Sequence, residues 1–306
     1  MTDPAENSHA PRKVLLAADL SARGDRALER AVEIAERHHA QLMIVHVFEE
    51  IDESNASYRA GRGVPSWRRP PDAAAILKTR VGQGLRADLG AAIERATLMI
   101  EEGDPAGVIE EIATAQRVDL IITGIARESL FASRPVILGK TVEQLLRRLP
   151  VPILIVRNRV RSAYEHIVVA TDISEPSAHA LQMALRFFPN QKLHLLHASE
   201  APYSTLVSDS GRHAESYREA HAAELRDFLA SIFMSEDVRN RLVRLVEPGS
   251  PQQMIREYVQ MHGADLVVLG TRGRGAIREA LLGSTAKAIL AALPCDALVT
   301  RGPIDR

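Results

Sequence analysis

Two hydrophobic rhythms alternate along the chain. Short apolar runs rich in β-branched residues occur at 14–18, 42–47, 97–100, 120–123 and 153–156. They occur again at 167–170, 193–196, 242–246, 266–269 and 297–300. Runs without polar alternation predict strands covered on both faces. Between them, apolar residues return every three or four positions, as at Ala27, Leu28, Ala31, Val32 and Ala35, which predicts amphipathic helices. Pro105 and Pro251 suit the first turn of a helix, where a missing N–H costs nothing. Strand and helix in regular alternation predict a parallel, doubly wound α/β sheet.

The rhythm is also written twice. Lys13-Val-Leu-Leu-Ala-Ala-Asp19-Leu-Ser21 aligns with His166-Ile-Val-Val-Ala-Thr-Asp172-Ile-Ser174. Further ordered matches follow: Leu42 to Val47 with Leu193 to Ala198, Gly103-Asp-Pro105 with Gly249-Ser-Pro251, Asp119 to Gly124 with Asp265 to Gly270, and Pro150 to Arg157 with Pro294 to Arg301. A period of roughly 150 residues is too long for a solenoid and means two copies of one domain. The division expected is 12–158 and 164–302, with a polar stretch between. Two stretches break the pattern at equivalent places, 51–72 and 201–212. Each is read as a loop past the second strand of its copy, either a lid over a ligand crevice or an irregular surface excursion.

Composition narrows the function classes. Of 306 residues, 46% are apolar and 25% charged, the make-up of an ordinary globular protein. A formal net charge of −1 offers no field for nucleic acid or an anionic membrane. Cys295 is the only cysteine, which suits a reducing cytoplasm. The first 13 residues are polar, and no apolar run approaches the roughly 20 residues of a membrane span, so neither a secretory leader nor membrane insertion is expected.

The chemistry concentrates in Gly270-Thr-Arg272-Gly273-Arg274-Gly275-Ala-Ile-Arg278-Glu-Ala-Leu-Leu-Gly283-Ser284-Thr285. This segment leaves a predicted strand and enters a helix predicted over Ser284–Ala292. Glycines let main chain approach a phosphate, and the free N–H groups of a helix start favour an anion. Arg272 and Arg274 add positive potential, or stand as solvated loop residues. Asp172 has two readings, a ligand contact or an acceptor for N–H groups at the turn into the next helix. Ser284 is a phosphate donor or a plain N-cap.

With Gly270, Gly273, Gly283 and Ser284 in the pattern Gly, two residues, Gly, nine residues, Gly, Ser/Thr, the segment resembles the phosphate loop of the universal stress protein family. The resemblance extends over both copies. It implies two five-stranded sheets of strand order 3-2-1-4-5 and ATP, with or without Mg2+, bound in the second copy. Asp172 and the main chain of Ala198 would meet the adenosine. Gly270, Arg272, Gly273, Arg274, Gly283, Ser284 and Thr285 would surround ribose and phosphates. It further implies pairing of fifth strands, here between the copies as a pseudo-dimer, with a homodimer also open. The role implied is a cytoplasmic stress-response regulator or sensor acting on a protein partner. The rival is a nucleotide-free scaffold of the same fold, for protein or small ligands.

The first copy departs from the pattern. Asp19 is retained as a weak candidate, but Arg127 stands at the second glycine, and Lys140 follows Gly139. Gly139-Lys140-Thr141 is no P-loop, because Arg134 occupies the required glycine position. No Gly-x-Ser-x-Gly elbow is present. His194 and His197 lie three apart on one predicted strand and face opposite sides, which argues against a metal pair. His46 and His197 are read as structural. At most, weak ATPase or autophosphorylation activity is expected, with no catalytic residue assigned.

Overall fold

The computed structural model describes residues 10–19, 24–48, 79, 82–84, 86–87, 95–125, 138–199, 210–271 and 282–302. The first half runs β1 (Lys13–Ala17), α1 (Gly24–His38), β2 (Gln41–Phe48), β3 (Ala96–Glu102), α2 (Pro105–Gln116), β4 (Leu120–Gly124), α3 (Lys140–Arg148) and β5 (Ile153–Val156). The second runs β6 (His166–Thr171), α4 (Glu175–Phe187), β7 (Lys192–Ser199), α5 (Ser210–Ser231), α6 (Glu236–Arg241), β8 (Val243–Pro248), α7 (Pro251–His262), β9 (Leu266–Gly270), α8 (Ser284–Ala292) and β10 (Asp296–Thr300).

All ten strands join one sheet in the order β3-β2-β1-β4-β5-β10-β9-β6-β7-β8. Each half keeps the order 3-2-1-4-5 and is parallel throughout. Only the central pair is antiparallel, with Leu298 opposite Leu154. The stretch 51–72 lies outside the described residues. Of 201–212, the last three residues belong to α5 rather than to a loop.

The apolar runs have a direct physical cause. Along β1, Leu15 packs into one core layer and Leu16 into the other. Val168 and Val169 divide the same way on β6. The layer containing Leu16 and Val169 also takes Ala27 and Ala31 of α1 and Ala180 and Leu181 of α4. The layer containing Leu15 and Val168 takes Ile109 of α2, Leu145 of α3, Ile255 of α7 and Ile289 of α8. With both faces covered, a polar residue on either side of a central strand would be desolvated. Each buried aliphatic side chain contributes about 1.5–3 kcal/mol instead.

The Gly-x-Pro elements turn out to be a device for starting a helix. Gly103 and Gly249 hold φ of 142° and 145°, and the prolines begin α2 and α7. Asp104 caps the first of these helices by accepting from Gly107 N at 2.9 Å.

Two arginines clamp the centre reciprocally. Arg157, just past β5, donates through Nη1 to the Leu293 carbonyl at the end of α8. Arg301, just past β10, donates to the Arg147 carbonyl in the last turn of α3 at 2.6 Å. Each cation meets the negative end of the other half's helix dipole. Arg301→Ala is expected to lower stability by about 1 kcal/mol, read as a shift of the urea midpoint. An unchanged midpoint would remove the clamp from the energetics.

The junction is also asymmetric. Asp296 begins β10, whereas the aligned residue of the first half is Pro152. Its carboxylate accepts from Arg157 N (2.8 Å), Asn158 N (3.0 Å) and Tyr164 Oη (2.6 Å). The Arg30 guanidinium lies over the Tyr164 ring at 3.9 Å and donates to the Ser162 carbonyl. Arg30, Tyr164 and Asp296 are each at most 4% exposed. The segment connecting the halves is thus anchored by a carboxylate from one and a guanidinium from the other.

Candidate functional site

Of the sequence-predicted residues, Asp172, Ala198, Gly270, Gly283, Ser284 and Thr285 lie at or just past the carboxyl ends of strands of the second half. There β6 lies between β7 and β9, the point where the strand order reverses, so the connections from β6 and β9 depart to opposite faces. A crevice at that point is the usual ligand position in an open α/β sheet.

Asp172 follows β6 directly. Its Oδ1 accepts from Ser174 N at 3.2 Å and Ser174 Oγ at 2.5 Å. Ile173 between them is held at φ 62°, a left-handed conformation rare for a β-branched residue. Thr171 secures the turn from below, with its Oγ accepting from Ile173 N and lying 2.8 Å from Ser177 Oγ. Ser174 and Ser177 complete a reciprocal capping box at the start of α4. The turn acceptor role weighed for Asp172 is therefore present.

Ala198 lies inside β7 rather than past it. It pairs with Glu247 of β8, one residue beyond the last pairing of β7 with β6, at His197 and Thr171. Gly270 ends β9. A Cβ there would stand 2.9 Å from the Pro176 carbonyl oxygen, so the backbone of α4 approaches too closely for any side chain. That packing requirement holds with or without a ligand.

The loop after Gly270 is pinched at its neck. Thr271 N donates to the Thr300 carbonyl, and the Thr271 carbonyl accepts from Gly283 N, both at 2.9 Å. Gly283 is the N-cap of α8 and offers no side chain to cap it. Ser284 and Thr285 follow as exposed first-turn residues. Arg272, Gly273 and Arg274 lie outside the described residues. Thr271, buried at the neck, was missed as a site residue because it stands at a variable position of the glycine pattern. Pro176 was missed because its contact is made through its backbone.

The first half repeats part of this. Asp19 is exposed after β1. Gly139 begins α3 without a side-chain cap, and Lys140 is the exposed first helical residue. Arg127 is outside the described residues. His46 and His197 behave alike: Nδ1 of each meets the carbonyl that follows the neighbouring strand or ends it, Ala18 at 2.8 Å and Thr171 at 2.9 Å. Both rings tie adjacent strands together, as expected. Among the described residues no three histidines, cysteines or acids converge to hold a metal, and no helix is long and apolar enough to cross a membrane.

The model of the universal stress protein family matches residues 11–157 and again 163–301. The chain belongs to the universal stress protein family. Among universal stress proteins, it is 25% identical over 221 residues to the universal stress protein E homolog of Haemophilus influenzae, covering 67% of this chain and 69% of that protein. It is 26% identical over 181 residues to universal stress protein E of Escherichia coli, covering 54% and 56%. A universal stress protein from Archaeoglobus fulgidus superposes over 95% of this chain and 99% of its own, with a TM-score of 0.66 and 19% identity. A functionally unknown protein of Pseudomonas aeruginosa covers 98% and 95%, with a TM-score of 0.61 and 21% identity. At these identities the structures bear on the fold, which they share with this tandem universal stress protein over both halves.

Proposed function

We propose that the second half binds ATP in the crevice between the ends of β6 and β9 and that the protein acts in the cytoplasm as a stress-response regulator or sensor. The observation that carries this reading is the start of α8. Its first N–H groups have no side-chain cap, and the neck of the glycine-rich loop holds them beside the strand ends. Orphan N–H groups with a helix dipole behind them suit a phosphate. Ser284 and Thr285 would take the phosphates, with Gly283, whose own N–H is given to the Thr271 carbonyl, leaving room for their approach. Asp172 and the Ala198 main chain would face the nucleoside, and Arg272, Gly273 and Arg274 of the loop would complete the cradle. Mg2+ would enter with the phosphates. Binding would bias partner choice only through unequal affinity for two conformations.

One observation favours the scaffold reading: Asp172 already accepts two hydrogen bonds from Ser174 within its own turn. Calorimetric titration of the full chain with ATP, together with mass spectrometry of co-purifying nucleotides, separates the two readings. Binding is expected, and Gly283→Val is expected to weaken it at least tenfold by crowding the anion cradle, a loss of about 1.4 kcal/mol. No heat at millimolar ATP would leave the scaffold standing.

A further inference from the structure

At the opposite end of the second half, far along the strands from the crevice, lies a cluster of rings. His166 opens β6, His194 lies on β7, and Tyr258 and His262 lie on the last turns of α7. The His166 and His194 rings have centroids 4.4 Å apart, and Tyr258 lies 4.4 Å from His262. Tyr258 Oη is 2.6 Å from His194 Nδ1 and 3.4 Å from His166 Nε2. His166 Nδ1 is 3.1 Å from the His262 carbonyl, which can only accept, so that nitrogen carries a proton.

The first half makes the same strand-to-helix tie with different chemistry. Lys13, aligned with His166, donates through Nζ to the carbonyl of Gln116, the last residue of α2 and the counterpart of His262, at 2.8 Å. Met43 and Ile112 stand where His194 and Tyr258 stand. The tie is an ammonium group in one half and a network of rings in the other.

We propose that the His166–Tyr258–His194 cluster is a proton-operated clasp that fastens α7 to β6 and β7 at neutral pH and loosens in acid, in the second half only. Proton counting gives the mechanism. With both imidazoles neutral the chain is complete: His194 Nδ1–H donates to Tyr258 Oη, whose O–H donates to His166 Nε2, and His166 Nδ1–H donates to the helix end. With both imidazoles charged, two N–H groups face one hydroxyl oxygen. The hydroxyl proton then has no ring nitrogen to go to, and two cations stand in ring contact.

The groups facing His194 are His166 from β6, Tyr258 and His262 from α7, and Lys192 on its own strand. On the β8 side it pairs with Val243, which does not titrate. Two carboxylates lie by the start of β6: Glu165, exposed just before it, and Asp265, which is engaged by the Glu165 and His166 main-chain N–H groups. Burial first, then His166, Lys192 and His262, lower the His194 pKa from 6.5 to about 4. An imidazole depressed on folding binds its proton more readily once released. Its contribution is therefore fully present above 6.5 and is lost as the pH falls toward 4.

Hydrogen exchange of the full chain at pH 7.5 and pH 5.0, corrected for intrinsic rates, tests the clasp against an internal control. Protection of α7 is expected to fall roughly tenfold relative to its counterpart α2, after allowance for the partial solvent exposure of the ring. In His194→Met, which installs the first half's residue, that relative loss should vanish. Equal changes in α2 and α7, or a full loss retained in His194→Met, would overturn the proposal. Should the variant fail to fold, the His194 ring titration followed by NMR in the unaltered protein decides. A midpoint well below 6 supports the clasp, and one near 6.5 ends it.

Discussion

Alanine at position 296 is expected to lower the unfolding free energy by about 3–5 kcal/mol, the scale for removing one member of a buried, hydrogen-bonded charge group. Asp296 is 1% exposed, and its carboxylate receives two main-chain N–H groups and the Tyr164 hydroxyl. Its loss leaves those donors without an acceptor and removes the more buried of two carboxylates beside the Arg30 guanidinium, Asp296 at 3.9 Å, leaving Glu33 at 3.0 Å. Asparagine separates the two effects. Burial raises the Asp296 carboxyl pKa, against the hydrogen bonds of Tyr164, Asn158 and Arg157 and the charge of Arg30. Desolvation therefore outweighs what its charge gains there, and the value of the side chain lies mainly in being an acceptor of the right shape. Asp296→Asn keeps an oxygen for Arg157 and Asn158, so it should cost no more than about half as much as alanine. Denaturant midpoints of the two variants check this. Equal losses would show that the charge itself holds the halves, and an alanine loss below about 1 kcal/mol would remove the junction from the stability account.

Gly270→Ala is expected to cost about 2–3 kcal/mol in the absence of any nucleotide. The added methyl would meet the Pro176 carbonyl oxygen at 2.9 Å and its carbon at 3.1 Å, both backbone atoms that cannot swing aside. Either α4 backs away from β9 or the strand end is displaced, and both loosen a core layer. Gly302 supplies the control. A Cβ there would lie 3.7 Å from the Pro176 Cα, an ordinary contact, so Gly302→Ala should change the midpoint by less than about 0.5 kcal/mol. If Gly270→Ala were as silent as Gly302→Ala, the glycine would be needed for a ligand alone.

These two cases mark where sequence reasoning reaches and where it stops. The strands were legible because both their faces are covered, which leaves unbroken runs such as Val14 to Leu16. The start of α8 was legible because Gly283-Ser284 follows a strand at a motif spacing. The pairing of fifth strands between the copies was implied by the family resemblance. Asp296 was not legible as an anchor: it opens a strand first read from Ala297, and its partners Arg30 and Tyr164 lie far away in the sequence. Arg30 sits beside apolar Ala31 on an amphipathic helix, and nothing in the local pattern marks it as buried. Gly270 was assigned to phosphate by its motif, and the packing reason became visible only with Pro176 in place. The ring cluster was hidden for the same reason, since His166 and Tyr258 belong to different elements and no local pattern joins them. For Asp172 the sequence offered two roles, and the turn geometry supplies one of them without removing the other.

The antiparallel seam between β5 and β10 leaves neither strand with a free flank, since β4 and β9 occupy the other sides. Dilution therefore cannot part the two halves, because covalent linkage keeps each at a fixed, high effective concentration for the other. Across this seam each copy meets a different sequence, so the two sides need not match. Asp296 in place of the first half's Pro152, and Lys287 paired with Glu143 at matched places across the seam, are differences that such asymmetry permits.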